Sequence, residues 1–243
     1  MLGVFGELFL TAGVVLLLFV SWQMWIGDMI IGSQKQAEAA ALAEQWARDA
    51  EAAPPADDTV ESDPAAPADP SAPAIVPVMD EPASGSEFAL MYVPRFGADW
   101  QFTIANGTAK KSILDAGDIG HYPGSAMPGA DGNMALAAHR WTSGAPFDPV
   151  DKLVIGDALV IQTPDGWYTY RFRNVEYVQD TQVEVLNPVP HQLDMAPNGK
   201  YLTLTSCAPK LNMLERIISY AVFEEFTPAS AGPPASLTEG VVA

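Results

Sequence analysis

From residue 88 to residue 228 the apolar residues fall into short runs, each cut off after a few positions by glycine, proline or a polar turn. The runs are 88–93, 100–104, 134–138, 153–155, 158–163, 167–173, 175–178, 183–186, 202–206 and 217–226. Several alternate, many are rich in β-branched and aromatic side chains, and there is little helical period, which is the pattern of strands. Pro164-Asp165-Gly166, between two of the runs, reads as a hairpin turn. Many short strands at close spacing predict a mainly β domain over residues 88–228, folded as a closed or nearly closed barrel. The chain has one cysteine, so no internal disulfide supports that barrel.

The residues ahead of it read differently. Positions 8–26 are apolar apart from Thr11, Ser21 and Gln23, and at 1.5 Å per residue they cover roughly 28 Å, close to a bilayer core. Trp22 and Trp25 fall near the end of the run, where indoles favour the interface. A single transmembrane helix within an anchor of residues 1–32 is the reading. The competing one, a cleaved signal peptide, lacks a basic leader, and its small residues at Ala37 and Ala39 lie well downstream. Residues 33–53, rich in Ala, Glu and Gln, predict a helix continuing out of the membrane, with Glu44 and Arg48 in the favourable order. Residues 54–87 hold eight prolines and eight acids with no base, and predict a disordered, self-repelling tether of up to about 100 Å. The Ala/Gly/Pro-rich tail, 229–243, is expected to fray.

The net charge of −18 sits largely outside the barrel: residues 1–87 carry 14 acids against Lys35 and Arg48, residues 88–228 carry 15 against 10 bases. A chain without a basic face is not a nucleic-acid binder. Glycine-rich phosphate loops and a G-x-S-x-G nucleophile turn are absent from the sequence. The three histidines and the cysteine, with gaps of 18 residues (121 to 139), 52 (139 to 191) and 68 (139 to 207), offer no short paired spacing for a metal.

What remains is a thiol, an imidazole and a guanidinium. Cys207 ends an alternating run just before Pro209, so it sits at a strand terminus. His139 likewise closes an apolar strand and opens a polar loop. His191, between Pro190 and Gln192, reads as a solvated loop residue, and His121 is open to either a structural or a functional role. A thiolate is a strong nucleophile, a neighbouring histidine can take the proton and return it to a leaving amine, and an arginine stays charged beside a developing oxyanion. Singly, Cys207 reads equally well as a small buried hydrophobe and Arg216 as a surface residue on a last strand.

The order His139, Cys207, Arg216, with Thr203-Leu204-Thr205-Ser206-Cys207 before the thiol and Arg216-Ile217-Ile218 opening the next strand, resembles the sortases, cysteine transpeptidases of Gram-positive cell surfaces. The stretches His121 to Gly129, Asn133 to Arg140 and Gly144 to Phe147 resemble the class E group of high-GC actinobacteria. The likeness covers about residues 88–228. It departs at Ser206, where the family motif Thr-Leu-x-Thr-Cys has threonine, which puts substrate packing beside the thiol in question.

The resemblance implies a closed eight-stranded barrel with short helices, in which Cys207 attacks the Thr-Gly bond of a Leu-Pro/Ala-x-Thr-Gly sorting signal. His139 would serve as general acid and base, Arg216 would position the carbonyl and steady the oxyanion, and His121, Tyr122, Ala138, Thr205 and Ser206 would line the groove. The acceptor would be an amine of a peptidoglycan precursor or a pilin, the substrates surface proteins or pilins, and no cofactor or metal is implied. It also implies a single-pass membrane protein with a cytoplasmic N-terminus and an extracellular catalytic domain. A catalytically silent peptide-binding barrel and a thiol hydrolase of the same signal are the alternatives.

Overall fold

The computed structural model describes residues 2–22, 27–52, 76–210 and 213–238. Eight strands close into a barrel: β1 (Glu87–Tyr92), β2 (Gln101–Asn106), β3 (Ile119–His121), β4 (Gly132–Ala137), β5 (Ala158–Thr163), β6 (Gly166–Gln179), β7 (Lys200–Ala208) and β8 (Glu215–Pro228). Around the barrel their order is β1-β2-β3-β4-β7-β8-β6-β5. The pairs β2/β3 and β4/β7 are parallel and the rest antiparallel. Closure leaves no free sheet edge, and the interior is filled by side chains such as Phe102, Leu136, Leu159, Tyr170, Leu204 and Ile217, each at most 3% exposed.

The expected hairpin is present, with β5 and β6 joined so that Thr163 pairs with Gly166. Gly166 has φ +149°, and a Cβ there would stand 2.3 Å from the Thr227 carbonyl oxygen, so the close approach of β8 requires glycine. Two expected strands are not strands. Residues 183–186 form a 3-10 turn whose Val185 packs with Val178 and Ile218 on the outside of the barrel, and 153–155 lie in a loop. The run 175–178 belongs to the long β6.

The flanking segments depart from the simple picture of anchor, tether and tail. Helix α1 (Leu2–Ser21) contains an apolar span at 3–21 that is long enough to cross a bilayer and has no part buried against protein; it starts earlier than the expected 8–26, of which 23–26 lie outside the described residues. Helix α2 (Gly27–Ala52) lies against β2, with Gly32 and Ala39 buried, rather than standing free. Most of the expected tether, 54–75, lies outside the described residues. Its described part corrects the expectation, because Val76 and Met79 pack on the core and the Pro77 and Pro82 carbonyls accept hydrogen bonds from Tyr168 and Asn106. The tail is corrected too: residues 229–238 form two 3-10 turns, with Ser236 buried against Thr169 at 3.1 Å and Leu237 on Trp167 and its neighbours. Proline-rich sequence therefore does not mean solvated chain where apolar residues punctuate it.

Candidate active site

Strand register gathers the three candidate side chains. In the antiparallel β7/β8 pair Cys207 stands opposite Arg216, and cross-strand partners share a face of the sheet. In the parallel β4/β7 pair Ala137 stands beside Thr205. His139 is two residues beyond Ala137 and Cys207 two beyond Thr205, so alternation carries both to the same end and the same outer face. Leu202, Leu204 and Ala208 point the other way, into the core. The thiol is free and partly exposed.

His139 is held by a residue the sequence did not indicate. Its Nε2–H donates to Asp115 Oδ1 at 2.8 Å, leaving Nδ1 without a partner among the described residues. Asp115 caps the π-type turn Lys110–Leu114 between β2 and β3. A loop aspartate 24 positions before the histidine carries no pattern that spacing reveals. Arg216 Nη1 donates to the carbonyls of Glu215 at 2.9 Å and Met213 at 3.2 Å, and its Nη2 lies 3.8 Å from Asp180. The guanidinium is thus steadied by its own loop at the mouth of the site.

The groove candidates divide by face. Thr205 and Tyr122 stand on the Cys207 face, their hydroxyls 3.1 Å apart, with Thr205 Oγ1 also donating to the Leu136 carbonyl. His121, Ala138 and Ser206 do not line the groove. Ala138 is a core residue, and Ser206, 4% exposed, donates inward to the Ala138 carbonyl at 2.7 Å. His121 is fully buried. Its Nδ1 lies 3.0 Å from Asn106 Oδ1, and its Nε2 lies 2.9 Å from Ser125 Oγ and 3.1 Å from the Ala126 carbonyl oxygen; burial pushes the imidazole below its ordinary range. His191 sits in its loop with Nε2 against Glu176 and the Tyr220 hydroxyl, away from the thiol. Among the described residues no group of three or more His, Cys, Asp or Glu side chains is placed to hold a metal ion.

A closed barrel carrying a thiol, an imidazole and a guanidinium at the ends of three adjacent strands defines a cysteine-centred β-barrel. The sortase domain model matches residues 91–224, and the chain belongs to the sortase family. It is 34% identical over 238 residues to sortase SrtE1 of Streptomyces coelicolor, a match that takes in 96% of this chain and 60% of that protein. To sortase SrtE2 of the same organism it is 30% identical over 212 residues, covering 85% of this chain and 75% of the relative. The chain therefore spans less than two thirds of the length of the first of these relatives. Among solved structures, the SrtA sortase of Actinomyces oris superposes with a TM-score of 0.63 at 33% identity, over 66% of this chain and 92% of its own. Sortase E1 of S. coelicolor, solved with a tripeptide in its active site, gives 0.59 at 37% identity, over 64% of this chain and 99% of its own.

Proposed function

We propose that the chain is a membrane-anchored cysteine transpeptidase that cuts a Leu-Pro/Ala-x-Thr-Gly sorting signal between Thr and Gly and passes the acyl group to an amine. The observation that carries this reading is the register that sets Cys207 opposite Arg216 and brings His139 to the same strand end. The thiol proton moves to His139, the thiolate attacks the threonine carbonyl, and Arg216 donates to the oxyanion. His139 then gives the proton to the leaving glycine nitrogen as the C–N bond breaks, leaving a thioester. An incoming amine loses its proton to His139, forms the new amide and releases the Cys207 thiolate. Tyr122, partly exposed on the Cys207 face and held by the buried Thr205 hydroxyl, offers its own hydroxyl to a peptide backbone laid along β7.

The apolar, unburied span at 3–21 supports anchoring in a membrane. With a surface protein as substrate and a peptidoglycan precursor or pilin amine as acceptor, the barrel stands outside the cell and the N-terminus inside. The test is incubation with Leu-Ala-x-Thr-Gly and Leu-Pro-x-Thr-Gly peptides, with and without an oligoglycine amine. A threonyl thioester on Cys207, an amide product that needs the amine, and loss of both in Cys207→Ala are expected. Cleavage that survives Cys207→Ala overturns the assignment. Release by water alone, unchanged by amine, makes the protein a thiol hydrolase, and binding without a thioester makes it a silent peptide-binding barrel.

A further inference from the structure

The Asp115–His139 pair lies on two loops, and both loops rest on helix α2. Asp115 and Asp118 share the short β2–β3 loop, which is tied internally by Asp115 N–H to the Lys110 carbonyl at 2.6 Å and Asp118 N–H to the Ile113 carbonyl at 3.2 Å. Asp118, its side chain 8% exposed, meets Lys35 of α2 at 2.9 Å. Lys35 is one of only two basic residues ahead of the barrel, and its side chain is itself 16% exposed. This is a largely desolvated pair between the helix and the loop that carries the histidine's partner.

The second loop follows His139. Thr142, Ser143 and Ala145 all have positive φ, at 68°, 53° and 44°, with Gly144 at 76° between them. Consecutive left-handed residues are strained and persist where the surroundings determine them. Here the surroundings are α2. A Cβ on Gly144 would stand 3.1 Å from the Cα and backbone nitrogen of Gly32, and one on Gly32 would stand 3.3 Å from the Gly144 carbonyl oxygen. Gly117, two residues past Asp115, is equally close: its Cβ would meet Lys35 Cγ and the Ser143 carbonyl oxygen at 3.1 Å and Ile31 Cγ2 at 3.2 Å. Gly32 and Gly144 let the helix and the histidine loop meet backbone to backbone, and Gly117 lets the aspartate loop close on Ser143 of that loop and on the Ile31 and Lys35 side chains of the helix.

We propose that α2 is a working part of the active site: its Gly32–Lys35 turn braces both loops and thereby holds Asp115 against His139. Asp115 is a positioning residue. By accepting Nε2–H it fixes the ring and leaves Nδ1 as the nitrogen that exchanges the proton with thiol and amine. The segment that leads to the membrane-spanning helix then sets the geometry of the catalytic histidine, so that anchoring and catalysis are coupled through side chains rather than through a passive tether. This inference rests on the transpeptidase reading for its kinetic consequence, and on geometry alone for its structural one.

The test uses the full chain in detergent with ¹⁵N-labelled histidine, and the variants Asp115→Asn, Lys35→Met and Gly32→Val. Two signals are followed: the hydrogen-bonded Nε2–H proton of His139, assigned by its loss in His139→Gln, and the kinetics of peptide transfer. Each of the three variants should weaken or abolish the ring-proton resonance and lower kcat by roughly 2- to 30-fold with KM for the peptide unchanged. Lys35→Met added to Asp115→Asn should cost nothing further, because both act on one pair. Lys35→Met keeps a long apolar stem and carries the test if Gly32→Val unfolds. Retention of the resonance and of kcat in Lys35→Met overturns the brace, and their retention in Asp115→Asn overturns the positioning role. The resonance needs no substrate, so a chain that cleaves no sorting peptide yet loses the signal in Lys35→Met supports the brace while refuting the transpeptidase reading.

Discussion

Ser206 Oγ donates to the Ala138 carbonyl at 2.7 Å, fastening the residue before the candidate nucleophile to the residue before the candidate acid–base histidine. Both partners face the core, so this bond governs how the ends of β4 and β7 sit side by side and not what lies in the groove. The family's threonine would present the same hydroxyl.

Ser206→Ala is expected to lower stability by about 1 kcal/mol, the net worth of a buried hydrogen bond, and to lower kcat by loosening His139 relative to Cys207. Ser206→Thr should keep the bond and both properties. Neither should change the ranking of Leu-Pro-x-Thr-Gly against Leu-Ala-x-Thr-Gly peptides. Denaturant unfolding and a two-peptide competition assay measure this, and an altered ranking would return Ser206 to the groove.

Arg216→Lys should cut kcat/KM by about 10²-fold, the scale of removing an oxyanion donor, because an ammonium cannot give the forked contacts of a guanidinium. Arg216 is partly exposed and among the described residues bonds its own loop and Asp180, so the unfolding free energy should move by no more than about 0.5 kcal/mol. Turnover near that of the parent would remove Arg216 from the chemistry.

How much of this was legible beforehand follows from what kind of contact each feature is. Strand runs and the Pro164-Asp165-Gly166 turn are local patterns that locate the barrel, and the register brings the candidate residues His139, Cys207 and Arg216 to one end of it. The 183–186 turn has the same apolar composition as a strand and differs only in what it covers. β3 is three residues long with Gly120 at its centre, too short for any period to show. The docking of α2 is invisible because the face it buries is made of Gly32 and Ala39, which leave no hydrophobic stripe. Asp115 is paired with His139 only once β3 has paired with both β2 and β4. Face assignment was the other gap: His121, Ala138 and Ser206 lie close in sequence to groove or catalytic positions, yet alternation or burial takes them inward.

His121 predicts a pH dependence of stability. Burial lowers its pKa below the ordinary 6.5, the Ala126 carbonyl and Glu81 opposing this in part. As pH falls through 6.5 the unfolded chain takes up a proton before the folded one does, so stability falls in the window from 6.5 down to the lowered folded value and is complete above it. Urea midpoints measured between pH 5 and 8 should drop on the acid side, and His121→Gln should flatten that slope. An unchanged slope in a folded His121→Gln would assign the acid sensitivity elsewhere.

The arm at 76–86 makes the last prediction, on where the domain begins. Val76 and Met79 pack on the barrel core, Tyr168 donates to the Pro77 carbonyl at 3.0 Å, and Asn106 donates to the Pro82 carbonyl at 2.6 Å. Glu81 reaches across to the Gly124 amide at 3.2 Å, on the turn that follows His121. A fragment starting at residue 88 loses all of these and leaves the Tyr168 and Asn106 donors to find water. The backbone bonds of Gly85 and Ser86 to Asn106 and the Asn106 Nδ2–Glu81 bond go with them, so burial of two partly covered apolar side chains and these hydrogen bonds puts the loss at roughly 3–7 kcal/mol. Chemical unfolding of fragments 76–238 and 88–238 measures it, and a synthetic 76–87 peptide should restore part of the difference in trans. Equal stability of the two fragments would mean that the arm only rests on the barrel, and the boundary read from composition at residue 88 would stand.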